Sequence, residues 1–303
     1  MSTNLSANTS SSIREAYKQF LNTEDGARAY ERFKHILYGP DDSLIQILNN
    51  NVLQCLSSVS ADVLRVCDIG GGDGKRIKRI LGFLHQKFAL RFNLDFVEQS
   101  STLMRMADVH EIEAFTEVRK LETLFENADL RGGYDLVFLI HSIFAFQDGS
   151  ATVDKVLSLP NSRGMIVAVS NAKDSFLGGL KELLDASYGD NRFEIADLMR
   201  ILENRALPFR QIPFETRWAV RKEALVQETG AILNWLSLGR YEDLTDGRKG
   251  DVCQYIRENS LDLGQRIVFS EDEVIVLIWQ PGQPNRSLGY SHFGRVPEVG
   301  RKE

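Results

Sequence analysis

The 303-residue sequence predicts an α/β fold with a doubly wound, mostly parallel sheet of about seven strands. Three observations carry that reading. An apolar run at 63–69 ends in Gly70, Gly71 and Gly72, and a helical pattern of apolar residues begins after Gly74. A second apolar run at 94–98 ends in the carboxylate of Glu98, one helix and one returning strand further on. Apolar strands then keep alternating with helices, at 134–140 and 164–170, before a last strand with antiparallel character at 274–279.

The first strand and its glycine turn are the centre of the chain. Glycines let the backbone approach a bound nucleoside closely, where a side chain would intervene. A dinucleotide fingerprint needs glycines at the first, third and sixth positions, and counting from Gly70 the sixth is Lys75. The spacing present is Asp-x-Gly-x-Gly-x-Gly, running from Asp68 through Gly70 and Gly72 to Gly74. Glu98, ending the second strand, is placed to accept both ribose hydroxyls of a nucleoside. Ligands of open α/β sheets lie beyond the carboxyl ends of the strands, so residues 141–146 are expected to face the same ligand.

Before this turn, residues 13–37 carry helical spacing broken at 22–26, and a further helix follows the turn at 39–43 and runs to about 56. These helices precede the alternating core. They are expected to form a lid over the site (13–60) or to cover a sheet edge, with the core at 61–280. After Glu98 the pattern predicts a helix at 101–109, a strand at 114–118, a short helix at 121–127 and a turn at Gly132 and Gly133. Helices are expected at 152–157, 174–186, 194–204, 222–236 and 249–258, and a strand at 209–220. Residues 1–12 and 281–303 have the composition of disordered tails.

A net charge of -6 argues against a general nucleic-acid binder. No signal-like or membrane-length apolar segment appears, so a cytoplasmic protein without a membrane partner is expected. Cys55, Cys67 and Cys253 are widely spaced and read as reduced core residues, and the histidines show no metal-ligand spacing. No metal is expected. Trp218 and Trp235 read as core.

Several blocks resemble class I S-adenosylmethionine-dependent methyltransferases, and more narrowly histamine N-methyltransferase. They are Val66-Cys67-Asp68-Ile69-Gly70-Gly71-Gly72-Asp73-Gly74, Phe96-Val97-Glu98-Gln99-Ser100 and Tyr134-Asp135-Leu136-Val137-Phe138-Leu139-Ile140-His141. Met165-Ile166-Val167-Ala168-Val169-Ser170 and Tyr17-Lys18-Gln19-Phe20-Leu21-Asn22 add to the likeness. The resemblance implies a Rossmann-like class I methyltransferase fold with S-adenosylmethionine as cofactor. Its contacts would come from Asp68, Gly70, Gly72, Gly74, Glu98 and Gln99, with Ile140 beside the adenine.

On the substrate side, the resemblance points to Tyr17 and to the acids nearest the family's N-terminal glutamate, Glu24 and Asp25. His141 stands where the family has a glutamine, and Glu271 where it has an asparagine. Phe144 is expected to line the pocket. The implied activity is methyl transfer to an amine or imidazole-like small molecule, His141 either accepting a proton or only positioning the substrate. The acids and imidazole favour a cationic or polar nitrogen compound over histamine. Two alternatives stay open: an oxygen acceptor on a natural-product scaffold, and a binding protein that keeps the fold without turnover.

Overall fold

The computed structural model describes residues 13–37, 42–51, 63–107, 109–146, 149–185 and 193–279. Strand β1 (Val63–Ile69) alternates between two buried faces, because both sides of the sheet are covered. Leu64 and Val66 enter one apolar cluster, and Cys67 and Ile69 enter the other. The same alternation holds in β2 (Arg91–Glu98), β4 (Tyr134–Ile140) and β5 (Pro160–Asn171). Helix α4 (Lys75–Phe88) covers the first face with Ile77, Ile80, Leu81 and Leu84. Helices α6 (Gly149–Ser158) and α8 (Ile195–Asn204) cover the second.

The strand order is β3-β2-β1-β4-β5-β8-β6, with β3 at Thr116–Glu122, β6 at Phe209–Arg221 and β8 at Arg266–Trp279. Neighbours are parallel as far as β5, and β8 runs antiparallel to both β5 and β6. The order reverses at β1 and β4, and a crevice opens at such a switch point.

Strand β8 is longer than the 274–279 expected from sequence. Its later half pairs β5 from Trp279 back to Glu273, while β6 follows it along its whole length to Arg266. The earlier half therefore runs past β5 as an arm, and a two-residue strand β7 (Leu261–Asp262) pairs it there, an eighth strand. Trp218, Val220, Ile267 and Phe269 on this arm join a third apolar cluster. Helices α1 (Ile13–Leu21), α2 (Glu24–Leu37), α7 (Phe176–Asp185), α9 (Leu225–Leu236) and α10 (Asp246–Glu258) supply the rest of it.

This cap divides the predicted lid. Helices α1 and α2 belong to the cap, whereas α3 (Asp42–Asn51) places Leu44 and Leu48 against the sheet with Ile80 and Leu84. The sequence also misplaces the segment around β3. Pairing with β2 carries the strand to Glu122, and only a single 3-10 turn, Phe125–Asn127, remains of the helix expected at 121–127. Helix α5 (Ser101–Met106) is shorter than the 101–109 expected. Cys67 is buried as foreseen, but Cys253 is exposed on α10, whose apolar spacing is weak; Cys55 and both predicted tails lie outside the described residues. No helix among the described residues is long and apolar enough to cross a membrane.

Candidate active site

The turn after β1 is tied to β2: Gly70 N and Gly71 N both donate to Val97 O, at 2.8 and 3.1 Å. Gly70 has φ 70°, Gly72 62° and Gly74 71°, the left-handed region that glycine enters without strain. A Cβ on Gly70 would overlap Ser142 after β4, so two strand ends meet closely there. A Cβ on Gly72 would overlap the Tyr30 hydroxyl of α2.

Glu98 is buried and folds back on this turn. Its Oε2 accepts from Gly72 N (2.9 Å) and its Oε1 from Ser100 N (2.8 Å). Burial pushes its pKa up, and backbone donors from Ser100, Gly72 and Gln99 pull against that. These backbone donors hold the carboxylate at the turn. Asp68 lies beneath the turn and outside the cleft lining, as does Gly74. They shape the turn from outside that lining. Burial pushes Asp68 up to about 7, although Lys34 draws it down.

A cleft open to solvent at its mouth begins at this turn. Its lining includes Gly70, Gly72, Glu98, Gln99, residues 123–126, Ile140, His141, Phe144, Asn171 and Lys181. The cap forms its roof through Leu21, Tyr30, Phe33, Lys34, Trp235 and Leu236. Trp235 packs on Phe20, Tyr30 and Phe33 with ring centroids 5.0–6.2 Å away, so it is core and cleft wall together. Helix α2 is latched to the turn by Lys34 Nζ on Asp73 Oδ1 (2.6 Å) and Glu31 on Lys75 (3.0 Å).

His141 follows β4 in a left-handed conformation, φ 52°, which costs a non-glycine residue about 1–3 kcal/mol. Its backbone N donates to Val169 O at 2.8 Å. Its Nε2 lies 3.1 Å from Glu273 Oε2, bent from the ideal hydrogen-bond line, and Glu273 Oε1 accepts from Thr216 Oγ1 at 2.9 Å. Burial lowers the His141 pKa against the pull of Glu273. Burial also works to raise Glu273, but His141, Arg76 and Thr216 hold it below the ordinary carboxylate range. Both directions favour the uncharged imidazole and the ionised carboxylate. Ser142, next in the chain, also lines the cleft, and its buried Oγ has no hydrogen-bond partner among the described residues. An orphan hydroxyl beside a glycine cradle suits a polar ligand.

Three predicted substrate contacts stand elsewhere. Glu24 and Asp25 are exposed in the first turn of α2, where the helix dipole favours acids, and pair with Arg28. Glu271 is buried behind the wall, accepting from Asn171 Nδ2 (2.7 Å) and from Leu177 N (2.8 Å) near the start of α7. Burial pushes it up to about 7. The Tyr17 side chain lies outside the described residues. The sequence reading missed Glu273, Asn171, Tyr30 and the cations Lys34, Arg76 and Lys181, whereas Ser142 falls within the 141–146 expected to face the ligand. Glu273 had one signal: it shares a strand face with Glu271, two acids at the start of an apolar run.

No protein-family model matches the sequence, and no curated protein is similar to it. Among solved structures, the YcgJ protein of Bacillus subtilis is similar with a TM-score of 0.50 and 15% identity, over 77% of this chain and 99% of that one. A Haemonchus contortus phosphoethanolamine N-methyltransferase, bound to phosphomonomethylethanolamine and S-adenosylhomocysteine, aligns with a TM-score of 0.49 and 14% identity, over 87% and 60%. The plantazolicin methyltransferase BpumL, in complex with S-adenosylhomocysteine, gives 0.45 and 12%, over 86% and 94%. The first likeness, with the strand order, identifies a Rossmann-like α/β fold.

Proposed function

We propose that this protein is an S-adenosylmethionine-dependent methyltransferase acting on a small molecule, with a neutral amine- or imidazole-like nitrogen as acceptor. The observation that carries the reading is the His141–Glu273 pair at the wall of the cleft that begins at the glycine turn. Gly70, Gly72, Glu98, Gln99, Ile140 and Ser142 would hold the cofactor, and Lys34 stands near the turn as a partner for its methionyl carboxylate. When bound, S-adenosylmethionine supplies an electrophilic methyl group on a sulfonium. The narrower likeness to histamine N-methyltransferase rests on the sequence blocks alone.

The chain's own part is orientation and proton removal. Phe144, Tyr30, Phe33 and Trp235 enclose the acceptor and exclude water, so that the nucleophile meets the methyl carbon in line. His141, kept neutral by burial, takes the proton that the acceptor loses, and Glu273 fixes the ring and stabilises the imidazolium that results. An oxygen acceptor has one feature in its favour: an oriented base is what a hydroxyl needs.

Calorimetric titration should show binding of S-adenosylmethionine and S-adenosylhomocysteine in preference to NAD. Amines, imidazoles and phenols are then screened for S-adenosylhomocysteine release. His141→Gln should lower kcat about 10²- to 10⁴-fold with cofactor affinity little changed. NAD binding without the sulfonium ligand would overturn the cofactor assignment. Turnover confined to phenols would move the acceptor from nitrogen to oxygen.

A further inference from the structure

We infer that the acceptor carries an anionic group, a carboxylate by class, seated at Lys181 and Asn171 in the cleft lined by His141. The inference rests on the methyltransferase reading and names the substrate class for that site.

The first support is where the charges are. The acids that would have drawn a cationic amine are elsewhere: Glu24 and Asp25 are on the outer surface, and Glu271 is turned into the start of α7. The cations facing the cleft are Lys34, Arg76 and Lys181. Of the carboxylates in the same lining, Glu98 is engaged by backbone N–H groups, and Glu126 accepts from Thr152 Oγ1. The charges acting on His141 are Arg76 and Lys181 against Glu273, two cations to one carboxylate, so an anionic guest there is favoured over a cationic one.

The second support is how Lys181 is held. Asn171 Nδ2 donates to Glu271 Oε1, which fixes the amide so that its Oδ1 accepts from Lys181 Nζ at 3.0 Å. The ammonium also lies over the Phe144 ring, 5.7 Å from its centroid. Both Asn171 and Phe144 line the cleft, so the charge is positioned at its wall by two neighbours. Lys34 is held at the glycine turn by Asp73, whereas Lys181 is held at Asn171 and Phe144. Lys181 acts on the His141 charge, so a group bound there leaves the rest of a small molecule beside the base.

The test uses full-length protein saturated with S-adenosylhomocysteine and titrated with matched probes. Imidazole-4-acetate is set against its carboxamide and histamine, and 4-aminobenzoate against 4-aminobenzamide and 4-aminobenzylamine. The carboxylate of at least one set should bind roughly tenfold or more tightly than its partners, the scale of one charge-assisted hydrogen bond. Lys181→Gln should erase that preference and leave the carboxamide unchanged, while Lys181→Arg keeps most of it. Carboxamide or amine binding as tight as carboxylate overturns the inference, as does an equal loss for all probes in Lys181→Gln. Absence of carboxylate binding to protein that binds S-adenosylhomocysteine overturns it too, with the methyltransferase reading intact. Failure of S-adenosylhomocysteine to bind removes that reading itself.

Discussion

Gly70 and Gly74 share a positive φ but differ in what surrounds them, and substitution should separate the two effects. A Cβ on Gly74 meets Val109 at 3.4 Å and Ala107 at 3.5 Å, ordinary contact distances. Gly74→Ala therefore bears only the left-handed strain, about 1–2 kcal/mol of stability, and should still bind S-adenosylhomocysteine. Gly70→Ala adds the overlap with Ser142 and pushes apart the two strand ends that frame the cleft. It should lose ligand binding, as read by calorimetry beside a urea denaturation curve. Equal binding by both variants would contradict this account. Much at this scale was legible in sequence because Gly70, Glu98, His141 and Phe144 all follow strand ends, where a doubly wound sheet puts its ligands. Glu24, Asp25 and Glu271 misled because an acid's letter does not say which way it faces. Lys34 and Lys181 were passed over for the same reason: helical lysines are usually solvated.

Helix α2 holds the roof and the glycine turn together through the Lys34–Asp73 pair, its members 14% and 1% exposed. Removing one partner of a buried pair commonly costs about 3–5 kcal/mol. Lys75, 3.5 Å from Asp73 Oδ2, softens that loss. Lys34→Met should speed amide hydrogen exchange across residues 24–37 and weaken S-adenosylhomocysteine binding severalfold, with the sheet amides still protected. Uniform exchange through the whole chain would show that α2 is no separable cover. The helices themselves were readable from their 3.6-residue spacing. The arm half of β8 was not: Ser270, Glu271, Asp272 and Glu273 interrupt its apolar pattern, and only pairing with β6 makes it strand. Likewise α3 reads like α1 and α2 in sequence, and tertiary packing alone sends it to the sheet.

Across the whole molecule, buried acids set a pH dependence of stability. Asp68 rises to about 7 in the fold from an ordinary 3.8, mainly through burial. Between those values the folded chain binds a proton that the unfolded chain does not, so this group's contribution falls as pH rises from about 4 to 7. Asp68→Asn should thus gain stability relative to the parent at pH 8 and lose that advantage near pH 4, measured as Tm differences. A Tm difference independent of pH would mean that Asp68 is ionised throughout. Strand β8 has a consequence of another kind, in the order of synthesis. It lies between β5 and β6, yet both of those leave the ribosome before it does. Until residue 279 has emerged, each presents an open, apolar edge with nothing to pair. The nascent chain must wait with a gap one strand in from the edge of its sheet, and its Glu273 reaches His141 only when that gap is filled.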